Sequence, residues 1–158
     1  MCRVRRMLVQ RWPKNLSPQE LAEWLNEQYG EETLMNHLKM RVVEAGPERA
    51  VVELPVHPGL YTPHHYIHAG VMLSLADTAA TIASIAAYRG DLEPEQFPVA
   101  VSISSQIVAN IQDGLLVAEA TIPHPGRTLM AAATRITDGD EKLLALVNST
   151  HFVRPLAT

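Results

Sequence analysis

Two parts of the sequence could act together on a carbonyl. One is the run His68-Ala69-Gly70; the other is Asp77, seven residues beyond Gly70. Ala69 opens the longest apolar stretch, Ala69 to Ala87, and so stands where a helix begins. Backbone N–H groups in a first helical turn lack intrahelical acceptors. They can hold a carbonyl oxygen and stabilise the oxyanion that forms when it is attacked. Gly70 lets a substrate approach the backbone closely. Asp77 would activate a water or attack the carbonyl itself, and both routes stay open. Seven residues span about 10 Å along a helix, whereas base and oxyanion donor must each lie about 3 Å from the reacting atoms. One helix cannot easily bring both to one carbonyl. Two antiparallel copies can, which predicts a site between subunits, formed twice per dimer.

The elements that must position these groups are legible. The chain has 158 residues, 47% hydrophobic and 19% charged, enough for one domain with a real core. A single cysteine, Cys2, excludes an intrachain disulfide. Five cations (Arg3, Arg5, Arg6, Arg11, Lys14) and no acid occupy the first fourteen residues, leaving eight cations against seventeen acids elsewhere. So acidic a body is a poor partner for nucleic acid, and the basic arm reads as a solvated terminus. Asp77 sits mid-way in the apolar stretch, with Ser74, Thr78, Thr81 and Ser84 around it. A carboxylate is costly at a bilayer centre, so a helix enclosed in a soluble protein is expected, with no membrane partner. No targeting segment stands out, and the expected location is cytoplasmic.

Ser17-Pro18-Gln19-Glu20 forms a capping-box pattern that starts a first helix, which Gly30 ends. Strands follow at Met40–Glu44 and Arg49–Val56, then an aperiodic loop from His57 to Ile67. The long helix runs to about Tyr88, with Arg89 and Gly90 suited to its end. Strand pattern returns at Val99–Ile103, with Ile107 after a break, and at Leu115–Ile122, where His124-Pro125-Gly126 interrupts it. It continues at Thr128–Thr137 and Lys142–Val153. Short turns make the sheet mostly antiparallel.

The segment from Tyr61 to Thr78 resembles the signature of the hotdog-fold thioesterases, in particular the phenylacetic-acid-pathway-like acyl-CoA thioesterases. That family carries His-Gly-Gly at the mouth of its central helix and a carboxylate seven residues after the second Gly. His68-Ala69-Gly70 and Asp77 match the spacing, and Ser74-Leu75-Ala76-Asp77-Thr78-Ala79 is very like the family's helix. The resemblance implies an α+β hotdog fold, a curved antiparallel sheet wrapped around one long central helix. It spans residues 34–158, with residues 1–33 as an N-terminal basic arm and helix. It also implies a homodimer or dimer of dimers that hydrolyses acyl-CoA thioesters. No cofactor is expected, since coenzyme A enters as part of the substrate.

Within that resemblance His68 supports the loop at the helix mouth. Thr62 stands where the family often has Asn, Ala69 replaces the first Gly, and Ala100 falls where a Ser or Thr helps hold the attacking water, with Ser102 next on that face. Arg127 and Thr128 match a Gly-basic step at a strand start and are the candidates for the phosphates of coenzyme A. Tyr66, beside Tyr61, is a candidate for the acyl pocket. No metal is expected at His64, His65 and His68, because Pro63 places them in a loop and no carboxylate or Cys completes a ligand set. His37, His57, His124 and His151 fit no pattern. A non-hydrolytic acyl-CoA-binding protein is the alternative, favoured by Thr62, Ala69 and Ala100. A hydratase or dehydratase is a third, lacking its usual motif.

Overall fold

The computed structural model describes residues 12–13, 15–88 and 96–153. The basic cations up to Arg11, together with Lys14, Arg89, Gly90 and Arg154, lie outside the described residues. Helix α1 (Pro18–Gln28) starts as its capping box dictates. Glu20 N–H donates to Ser17 Oγ at 3.2 Å, and Ser17 N–H donates to Glu20 Oε2 at 2.8 Å. Its buried stripe is Leu21, Ala22 and Leu25. A short helix α2 (Leu34–Leu38) follows, capped by Thr33 and closed by Lys39 in the left-handed region. Sequence periodicity gave no sign of it, since five residues are too few to show a helical period.

Six strands form one curved antiparallel sheet: β1 (Arg41–Ala45), β2 (Ala50–Pro55), β3 (Val99–Ile107), β4 (Leu115–Pro125), β5 (Leu129–Asp138) and β6 (Leu143–Phe152), in the order β1-β2-β4-β5-β6-β3. Helix α3 (Ala69–Ala87) packs across it and buries Met72, Leu75, Ala76, Ala79, Ala80, Ile82, Ala83, Ser84 and Ile85. By length and apolarity α3 could cross a bilayer; here its apolar residues belong to the core instead.

Two expected interruptions are absent. His124-Pro125 does not break its strand: a bulge between Thr121 and His124 absorbs the irregularity, and β4 pairs with β5 through Pro125. Ser104-Ser105-Gln106 does not break β3 either. It lies on a sheet edge whose residues from Val101 to Ile107 are all exposed, so polar side chains cost nothing there.

The two sheet edges differ. On β1, Asn26 of α1 closes the strand: its Nδ2 donates to Val42 O at 2.8 Å, and Val42 N–H donates to its Oδ1 at 2.9 Å. On β3, no other strand pairs with the outer side among the described residues, and Val99, Val101, Ile103 and Ile107 are exposed. A bare apolar edge is a template for pairing with another chain.

Candidate active site

The loop from His57 to Ile67 delivers the chain to the mouth of α3. It is ordered by a 3-10 turn at Pro58–Leu60 and a bridge between Tyr61 and Ile67. Asn110 clamps its end: Ile67 N–H donates to Asn110 Oδ1 and Asn110 Nδ2 donates to Ile67 O, both at 3.0 Å. The Tyr61 hydroxyl donates to Gln112 O. Asn110 went unnoticed in the sequence, because a lone polar residue after a strand carries no periodic signal. Thr62 serves the loop itself, its Oγ1 accepting from Tyr66 N–H at 3.4 Å. Tyr66 stands exposed beside it.

His68 is the N-cap of α3, and its ring Nδ1 accepts the Gly70 N–H at 2.9 Å. This qualifies the expectation that Gly70 offers a free donor: its N–H is already engaged by the imidazole. The Ala69 N–H, at the first helical position, has no intrahelical acceptor. A Cβ on Gly70 would lie 3.1 Å from His68 Nδ1, so glycine leaves room for the capping ring.

Asp77 lies two helical turns deeper, nearly in line with Gly70. Gly70, Ser74, Asp77 and Thr81 form a half-covered stripe down α3. The neighbouring hydroxyls do not hold the carboxylate. Ser74 Oγ donates to Gly70 O and Thr78 Oγ1 donates to Ser74 O, each at 2.8 Å. Asp77 Oδ1 is buried without a hydrogen-bond partner among the described residues. Burial pushes the Asp77 carboxyl above its ordinary range, and nearby His151 partly opposes that shift. A buried carboxyl oxygen without a donor is expensive to keep as structure alone, and its raised pKa suits a proton-transfer role.

The other expected site residues lie elsewhere. Ser102 is exposed on β3, paired with Thr150, and Ala100 pairs with His151 across a bulge. Arg127 and Thr128 line a surface cleft of about 350 Å³ with Tyr88, Gln96 and Val153, at the far end of α3 from its mouth. One protomer therefore holds a helix mouth, a carboxylate and a cationic cleft strung along one helix, not gathered. No group of three or more His, Cys, Asp or Glu side chains is placed to hold a metal among the described residues.

The turn before Arg127 is tight. A Cβ on Gly126 would sit 2.1 Å from the Leu129 carbonyl oxygen, which is backbone and cannot step aside. Gly126→Ala is expected to lower stability by about 1–3 kcal/mol, the scale of overpacking, read as a lower denaturant midpoint. An unchanged midpoint would show that the turn relaxes freely.

The sequence matches the thioesterase superfamily over residues 64–145. The chain belongs to that superfamily. It is 31% identical over 121 residues to the 1,4-dihydroxy-2-naphthoyl-CoA hydrolase of Listeria monocytogenes, covering 77% of this chain and 95% of that protein. Its fold is that of solved thioesterase-superfamily structures. A Haemophilus influenzae thioesterase superposes with a TM-score of 0.76 at 21% identity, over 94% of this chain and 98% of the other. The Escherichia coli PaaI protein of the phenylacetic acid degradation operon gives 0.73 at 21%, over 88% and 97%. The hotdog assignment and the likeness to the phenylacetic-acid-pathway group stand. As a member of the thioesterase superfamily the chain is a thioester hydrolase.

Proposed function

We propose that this thioesterase hydrolyses an acyl- or aryl-CoA to free acid and coenzyme A, at a site completed by a second copy of the chain. The observation that carries the proposal is Asp77: a carboxylate with one buried, unpartnered oxygen, on the half-covered stripe of α3, two turns from a helix mouth that bears the donors. Two such helices packed antiparallel would set the mouth of each beside Asp77 of the other. The bare, apolar β3 edge supports the same pairing, because strand addition there would extend one sheet across both copies. A dimer of dimers is compatible with this pairing.

In this reading Ala69 N–H is the first oxyanion donor. Gly70 N–H joins it when the carbonyl oxygen displaces the His68 ring. Ionised Asp77 activates a water or attacks the carbonyl. Antiparallel packing also brings the Arg127–Thr128 cleft, at the end of α3, toward the partner's helix mouth, where a guanidinium suits the phosphates of coenzyme A. Thr62 and His68 shape the mouth, and Tyr66 and Ser102 are candidates for the acyl side. The reaction needs no separate cofactor, and a cytoplasmic setting fits a CoA ester. Aryl substrates gain support from the naphthoyl-CoA named for the Listeria relative.

The test is release of free thiol from a panel of acyl- and aryl-CoA esters by wild type and Asp77→Ala. Turnover that depends on Asp77 is expected. Equal, slow release by both proteins from every ester would refute it. Thermal stabilisation by an ester without thiol release would point instead to a binding protein.

A further inference from the structure

Behind Asp77 lies a buried polar pair that this scheme leaves unused. Alternation along β6 puts Val147, Ser149 and His151 on the covered face of the strand, which packs against α3. His151 is fully buried. Its Nε2 lies 3.0 Å from Ser149 Oγ, while its Nδ1 has no hydrogen-bond partner among the described residues. Asp77 Oδ1 is likewise buried and unpartnered.

Burial pushes the His151 imidazole below its ordinary range, and the Asp77 charge opposes that shift. The strands flanking His151 bring no competing charge: its register partners are Met130 on β5 and Ala100 on β3. Among the described residues Asp77, from α3, is the charged group whose field reaches it. A buried imidazole with one nitrogen unsatisfied is costly as packing alone.

We propose that His151, held by Ser149, is a positioning residue for Asp77, its Nδ1–H donating to the carboxylate through one bridging water. The proposal rests on the catalytic reading of Asp77. Its chemistry follows from the tautomer. When the Ser149 hydroxyl donates to Nε2, the neutral ring carries its proton on Nδ1. A donor aimed at the ionised carboxylate fixes its orientation and favours its charged form, against the burial that disfavours it. His151 holds that proton and takes none from the substrate.

The experiment is a pair of measurements on the full chain. The pH profile of kcat for thiol release is taken for wild type, His151→Phe and Ser149→Ala. His151→Phe is expected to lower kcat about ten- to a hundredfold, the scale of lost orientation, with KM little changed. Its acid limb is expected to move to higher pH, because Asp77 loses the donor that favours its charge, and His151→Asn, whose amide Nδ2–H replaces Nδ1–H, is expected to recover part of both. Ser149→Ala moves both in the same direction by less, and keeps the test intact if His151→Phe fails to fold. A fall in kcat with an unmoved acid limb, or no fall, would overturn the proposal.

The second measurement needs no turnover. Nitrogen-15 NMR of the imidazoles should show His151 with its proton on Nδ1 in wild type, and a loss of that preference in Asp77→Asn. A wild-type ring protonated on Nε2 alone, or a tautomer indifferent to Asp77→Asn, would refute the pairing. Absence of turnover with every ester would sink the hydrolytic reading, while the NMR result would still judge the contact.

Discussion

Asp77→Asn is expected to lose about 10³-fold in kcat for thiol release, within the range for general acid–base groups, and to be more stable than wild type at neutral pH. The loss follows because an amide neither accepts a proton nor attacks a carbonyl. The gain follows from linkage. Burial raises the folded-state pKa of Asp77 above its unfolded value, so ionisation opposes folding. That penalty is complete above the folded pKa and absent below the unfolded one. The Asn variant avoids it, so its advantage in melting temperature should be full at pH 8 and shrink as the pH falls toward about 4, the ordinary range of Asp. Thermal melts across that range, beside the thiol assay, check both halves. A variant that is less stable than wild type at pH 8 and still active would show that Asp77 is an ordinary structural carboxylate.

The second large effect concerns the β3 edge. Val101 and Ile103 are 58% and 42% exposed in the protomer, so placing lysines there leaves the protomer's own packing nearly untouched. Charges on an edge strand block strand addition. The double variant Val101→Lys, Ile103→Lys is expected to sediment as a monomer with a native far-ultraviolet spectrum. It should lose about a hundredfold or more in kcat, because the mouth and the carboxylate no longer meet. A monomer with full activity would break the link between assembly and chemistry.

Much of this was legible in the chain, for identifiable reasons. The capping box at Ser17 and the uniform apolarity from Ala69 to Ala87 are strong local signals, and α1 and α3 begin where they dictate. Strand ends were less legible, because a bulge at Thr121 and His124 carries β4 through a Pro that looks like a stop. The helix mouth and Asp77 announced themselves by spacing. The His68 ring on Gly70 N–H did not, because a cap that folds back two residues depends on side-chain geometry. His151 and Asn110 were invisible for a related reason. Each acts on a residue distant in sequence, and only sheet register or loop packing brings the pairs together.

The most direct test of a shared site is complementation between two inactive variants. Asp77→Asn removes the carboxylate. Ala69→Pro removes one oxyanion donor while keeping α3, since Pro is well suited to a first helical position and His68 before it is already extended. Each alone should be nearly inactive, the second by about 10²- to 10³-fold. In a mixed dimer one of the two sites joins an intact mouth from one chain to an intact Asp77 from the other. Unfolding and refolding an equal mixture should therefore restore about one quarter of wild-type kcat, as random pairing of a two-fold dimer requires. No restoration, with mixed dimers shown to form, would place both groups in one protomer and contradict the account.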